Sequence, residues 1–116
     1  MELESIILPG ISKQRPLIIA GPCSAETEEQ MMSVARELAK KEIKIFRAGA
    51  WKPRTKPGGF EGVGLPGLAW MQRVKKETGM YTTTEVANKD HVIEAIKHGI
   101  DILWIGARTS VNPFAV

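Results

Sequence analysis

Cysteine occurs once in the 116 residues, at Cys23. That excludes an internal disulfide and leaves the thiol as either small buried filler or chemistry. No apolar run approaches the roughly 20 residues a membrane span requires. The first residues, with Glu2 and Glu4, do not resemble a secretory signal. The expectation is a cytoplasmic protein with no membrane partner. Charge of one sign is also lacking: 16 Lys and Arg face 13 Asp and Glu, for a net charge of +3. The basic residues are scattered rather than run together. That speaks against nucleic acid as the partner and leaves anionic metabolites open. There is no internal repeat, no low-complexity tract, and no CxxC or HExxH pattern for a metal.

What is present is an alternation of short apolar runs and amphipathic stretches. Pro16-Leu17-Ile18-Ile19-Ala20 has no polar alternation and reads as a strand buried on both faces. Thr27 is placed to cap a helix, with Gln30 completing a capping box. Met31, Val34, Ala35, Leu38 and Ala39 then form one apolar stripe. Ile43 to Ala48 is a second strand. A loop from Gly49 to about Gly67 has several Pro and Gly and no periodicity, and loops that long in compact domains are usually functional or disordered. Leu68, Met71 and Val74, with Trp70 beside them, mark a second helix ending near Gly79. Met80 to Glu85 is a third strand. Asn88 or Asp90 caps a third helix bearing Val92, Ile93 and Ile96 and closed by Gly99. Ile102 to Gly106 is a fourth strand, and a further short strand near Ile6–Leu8 precedes the series.

This order predicts an α/β fold with four parallel strands and intervening helices. No Gly-rich dinucleotide fingerprint follows the first strand, which argues against a Rossmann domain. A complete (β/α)8 barrel needs about 200 residues or more, so the pattern reads as the first half of one. Residues 1–116 form a partial barrel domain, with no second domain expected. The first and fourth strands are apolar edges without an internal Lys or Pro to blunt them. Such a chain is expected to pair with a copy or a second-half fragment, or to be one portion of a longer polypeptide.

The residues with chemistry fall at the carboxyl ends of the strands, where barrel active sites are built. Cys23 follows the first strand. Arg47, Lys52, Arg54 and Thr55 follow the second, and no acidic residue intervenes until Glu61. Guanidinium forks and an ammonium at a strand end suit a small polyanion. Glu85 closes the third strand. Arg108 and Thr109 follow the fourth, after Gly106 and Ala107, small residues that let a ligand approach the backbone. His91 and His98 read as solvated surface residues. Trp70 and Trp104 read as packing, and Trp51 as a pocket wall.

Gly21-Pro22-Cys23-Ser24-Ala25-Glu26, Arg47 through Lys52-Pro53-Arg54-Thr55, Thr84-Glu85-Val86 and Gly106-Ala107-Arg108-Thr109 resemble, in that order, a known family. It is the N-terminal half of 3-deoxy-D-arabino-heptulosonate-7-phosphate (DAHP) synthase. Asn112-Pro113-Phe114 looks like its smaller bacterial subgroup, some members of which carry a fused chorismate mutase. The resemblance spans nearly the whole chain. The related 3-deoxy-octulosonate-8-phosphate synthases share the barrel, but typically have an Asn-containing segment where this chain has Lys-Pro-Arg-Thr.

The resemblance implies an aldol-like condensation of phosphoenolpyruvate with erythrose 4-phosphate, the first step of the shikimate pathway to aromatic amino acids. It implies a divalent metal of the Mn, Fe, Co or Zn class, with Cys23 as a ligand, acting as a Lewis acid on the aldehyde. Arg47, Lys52 and Arg108, with the backbone of Gly106 and Ala107, would hold phosphoenolpyruvate. Lys52, Pro53, Arg54 and Thr55 would hold the sugar phosphate, and Thr109 lines the same site. Lys52 and Glu85 would be the catalytic residues. In the family the other metal ligands (His, Glu and Asp) and a further lysine come from the second half of the barrel. The expectation is therefore an enzyme, functioning as a homo-oligomer, of which these 116 residues alone are inactive. Two alternatives are a non-catalytic half-barrel that binds phosphorylated metabolites and an octulosonate-synthase-like enzyme.

Overall fold

The computed structural model describes Pro9, residues 17–51, residues 63–106 and Ser110. The order is β1 (Ile19–Ala20), α1 (Glu28–Lys40), β2 (Ile45–Arg47), α2 (Leu65–Thr78), β3 (Tyr81–Glu85), α3 (Lys89–Lys97) and β4 (Ile102–Trp104). The four strands form one parallel sheet in the sequential order β1-β2-β3-β4. Consecutive parallel strands joined by helices are how a (β/α)8 barrel is wound. The anticipated strand near Ile6–Leu8 lies outside the described residues.

Local chemistry sets the helix ends. Thr27 Oγ1 accepts from the Gln30 amide at 3.0 Å, while Gln30 Oε1 reaches back to the Glu26 amide at 2.9 Å. The anticipated capping box therefore forms, with its return bond one residue earlier than usual. Helix α2 begins at Leu65, ahead of the anticipated boundary, because Pro66 fits the first turn. It ends at Gly79, whose φ of 74° is the left-handed cap. Asn88, rather than Asp90, caps α3: its Oδ1 accepts from the His91 amide at 2.9 Å.

The two faces of the sheet differ. Phe46 and Leu103 pack into the cluster formed with Met31, Ala35, Leu68, Met71, Val74 and Ala95 from the three helices. The register pairs Phe46 with Thr82, and Thr84 with Leu103, on that same face. Burying each of these large apolar side chains contributes about 1.5–3 kcal/mol. The strand alternation puts Ile45, Arg47, Tyr81, Thr83, Glu85, Ile102 and Trp104 on the other face.

Helix α3 meets the core through Ala95 and Val92, leaving Ile93 and Ile96 exposed. The anticipated stripe of Val92, Ile93 and Ile96 is thus only partly used. Apolar exposure also gathers on the outer strands, at Leu17 and Ile18 just ahead of β1, Ile19 within it and Ile105 beside β4.

Polar groups tie the far end of the sheet. Asp101 accepts from the Thr82 amide at 2.9 Å and from Lys75 Nζ at 2.6 Å, joining β3, α2 and the start of β4. Between α1 and α2, Arg73 bridges Glu28 and Glu77, and Glu77 also pairs with Arg36. Among the described residues no helix is long and apolar enough to cross a membrane.

Candidate active site

Arg47 is the last residue of β2 and lies on the face turned away from the helices. Its guanidinium carbon sits 5.4 Å from the Trp104 ring centroid, within cation–π range. Among the described residues it has no carboxylate within ion-pair distance. Trp104, expected as a packing residue, also forms the floor under a cation. A cation held by an aromatic face, with its donors uncommitted, remains able to take an anion.

Across the sheet from Arg47 stands Thr83, only 2% exposed, whose hydroxyl has no hydrogen-bond partner among the described residues. Leaving such a hydroxyl unmet costs about 1–3 kcal/mol. Two residues on, Glu85 closes β3 opposite Trp104 and is 9% exposed. Its carboxylate lies hard against Gly106: a Cβ there would come within 2.9 Å of Cδ and Oε1. A side chain at position 106 would require the Glu85 carboxylate to shift. Cation, hydroxyl and carboxylate share one face of the sheet, a set of groups with the chemistry to meet a polar ligand.

Cys23 is exposed on the loop following β1 and takes no part in a disulfide. Within the described residues it is not a buried core residue. The loop is set by Gly21, where φ is +154° and a Cβ would fall 1.8 Å from the Arg47 carbonyl oxygen. The end of β1 therefore presses on β2 at Arg47 itself. The Ala25 amide donates to the Gly49 carbonyl at 2.9 Å, and Gln30 Nε2 to the Ser24 carbonyl at 3.2 Å. The Ser24 hydroxyl is a second buried group without a partner among the described residues.

Cys23 could supply one soft thiolate to a divalent metal. The described residues contain no group of three or more His, Cys, Asp or Glu able to hold one. They do not make a metal site by themselves. Lys52, Pro53, Arg54, Thr55, Ala107, Arg108 and Thr109 lie outside the described residues. The structure thus brings together Arg47, Glu85 and Gly106, with Cys23 at the neighbouring strand end.

Three residues carry more than the sequence suggested: Trp104, Thr83 and His91. His91 is not a solvated surface residue. Its ring stacks on Trp51 at 4.0 Å between centroids and 6° between planes, and Nδ1 accepts from the Ala87 amide at 3.0 Å. Burial pushes its pKa below the ordinary value, against the opposing charge of Asp90. Helical periodicity alone could not show this, because the stacking partner lies 40 residues away in sequence.

The sequence profile of the DAHP synthetase I family matches residues 4–114. The chain is 41% identical over 95 residues to phospho-2-dehydro-3-deoxyheptonate aldolase of Thermotoga maritima, covering 82% of this chain and 28% of that protein. It is 34% identical over 97 residues to 2-dehydro-3-deoxyphosphooctonate aldolase of Syntrophotalea carbinolica, covering 78% of this chain and 35% of that one. The crystal structure of the Thermotoga maritima DAHP synthase superposes with a TM-score of 0.74 at 39% identity, over 84% of this chain and 28% of the other. The chain thus spans about a third or less of the length of these relatives. The parallel α/β arrangement expected from the sequence is borne out, and the heptonate relative matches more strongly than the octonate one. With a family profile covering nearly every residue and a 41% identical relative over most of its length, this chain belongs to the DAHP synthetase I family.

Proposed function

We propose that this segment forms the phosphoenolpyruvate-holding part of a 3-deoxy-7-phosphoheptulonate synthase, within a barrel completed by further βα units. The observation that carries this reading is the uncommitted Arg47 guanidinium on the face shared with Glu85 and the Thr83 hydroxyl. The family and the heptonate relative support it, as do the exposed apolar residues of the two outer strands.

The overall change joins phosphoenolpyruvate, erythrose 4-phosphate and water into the seven-carbon product and inorganic phosphate. C3 of phosphoenolpyruvate forms the new bond to the aldehyde carbon, and the aldehyde oxygen ends as a hydroxyl. Water supplies the oxygen of the new keto group as phosphate departs. Arg47, with Lys52 and Arg108, neutralises the phosphate and carboxylate of phosphoenolpyruvate, and the Gly106–Ala107 backbone admits them closely. Arg54, with Lys52, Pro53 and Thr55, takes the phosphate of the sugar, and Thr109 lines the pocket. Glu85 orients the water and accepts its hydrogen bond. Holding three anionic groups together against their repulsion is the chief task, and fixed cations perform it. A divalent metal, when bound, would polarise the aldehyde; Cys23 is the candidate donor in this segment.

The whole protein would act in the cytoplasm as a homo-oligomer. The octonate relative keeps one alternative open. An eight-carbon product with three carbons from phosphoenolpyruvate requires a five-carbon aldose phosphate instead. Phosphoenolpyruvate consumption by the protein carrying this segment separates the two: turnover with erythrose 4-phosphate supports the proposal, and turnover only with the five-carbon aldose phosphate refutes it.

A further inference from the structure

Arg47 and Glu85 carry opposite charges at neighbouring strand ends on one face of the sheet, yet no ion pair joins them. The register sets Arg47 opposite Thr83, two residues before Glu85, and Glu85 opposite Trp104. Strand β3 therefore separates the arginine from the indole. Neighbouring strands lie about 4.8 Å apart. The 5.4 Å contact between the guanidinium carbon and the ring centroid thus has the two side chains meeting above β3. The guanidinium reaches over the strand that bears Glu85 and settles on the indole instead. Two constraints hold that arrangement. The Trp104 carbonyl accepts from the Val86 amide at 2.9 Å, which anchors the indole's strand directly after Glu85. The Glu85 carboxylate lies against Gly106, on the side of β4.

An aromatic ring holds a guanidinium by its flat face, and the N–H edge stays free for a two-oxygen anion. An ion pair with Glu85 would use that edge and tie up the carboxylate as well. We propose that Trp104 is a positioning residue for phosphoenolpyruvate binding. Its indole holds the Arg47 guanidinium clear of Glu85, so the N–H fork stays open to the phosphate or carboxylate of that substrate. The inference rests on the functional reading above, and Trp104 acts through Arg47 with no substrate contact of its own.

Calorimetric titration of phosphoenolpyruvate into variants of the complete protein that carries this segment tests the proposal. Trp104→Leu is expected to weaken binding roughly 2- to 30-fold, the worth of a cation–π contact. Trp104→Phe keeps an aromatic face and should recover most of the loss. In an Arg47→Ala background Trp104→Leu should cost nothing further, and in a Glu85→Gln background it should cost clearly less. Unchanged affinity in Trp104→Leu, a Trp104→Phe variant no better than it, or a loss undiminished in either background would overturn the proposal. If Trp104→Leu does not fold, a fluorinated tryptophan at position 104 keeps the ring's shape and weakens its negative face. Affinity that falls with fluorination supports the proposal, and affinity unmoved by it overturns the proposal. An unmutated protein that does not bind phosphoenolpyruvate would overturn the functional reading first, and this one with it. Binding that depends on Arg47 and not on Trp104 would overturn this one alone.

Discussion

Gly21→Ala tests how the first strand end is fitted to the site. The added Cβ would fall 1.8 Å from the Arg47 carbonyl oxygen and 2.9 Å from its carbon. Both are backbone atoms, so no rotamer change can relieve the contact. The φ of +154° is also open essentially to glycine alone, and occupying such a region costs another residue about 1–3 kcal/mol. Overpacking of a tight contact adds about 1–3 kcal/mol. The two together predict a loss of about 2–6 kcal/mol, a large share of the roughly 5–15 kcal/mol that holds a domain together. Gly99→Ala is the matched control. Gly99 also has positive φ, at 72°, but nothing lies within 4 Å of its Cβ position, so only the conformational cost of about 1–2 kcal/mol applies. Urea unfolding followed by circular dichroism gives both values. A Gly21→Ala variant no less stable than Gly99→Ala would refute the claim that β1 closes on Arg47 by backbone contact.

Gly106→Ala should displace the Glu85 carboxylate and lower kcat of the complete protein. Measured in a double-mutant cycle with Glu85→Ala, the two changes should be clearly non-additive, and simple additivity would deny the contact. Asp101→Asn should cost about 1–3 kcal/mol in urea unfolding, since it weakens the links to Lys75 and the Thr82 amide together. His91 has a folded pKa below its unfolded value of about 6.5. The unfolded chain therefore takes up this proton first, and stability should fall as pH drops below about 6.5. A His91→Phe variant should lack that part of the pH dependence, and an identical profile would contradict it.

The strand–helix order was legible because each element carries its own signal: Thr27 and Asn88 as caps, Gly79 as a stop, Phe46 within an apolar run. The start of α2 was missed because Leu65 and Pro66 sit in a stretch punctuated by glycine, where a first-turn proline looks like more loop. Arg47, Glu85, Gly106 and Cys23 were legible from position, each falling at a strand terminus. What escaped was tertiary. Trp104 looks like any strand aromatic until alternation puts it on the face opposite the core, beneath Arg47. Thr83 is one of three consecutive threonines, and only the register shows that it faces Arg47 while Thr82 and Thr84 face the helices. The exposure of Ile93 and Ile96 follows from which neighbours α3 meets, and its own periodicity contains nothing about that.

On the proposed function, Arg47 holds phosphoenolpyruvate on the face away from the helices. Calorimetric titration of phosphoenolpyruvate into the complete protein and its Arg47→Ala variant tests it most directly. Removing one partner of a buried charged contact costs about 2–5 kcal/mol, or about 30-fold or more in Kd. The predicted result is that loss of affinity with the fold intact by circular dichroism. Phosphoenolpyruvate bound equally well by both proteins would contradict the account.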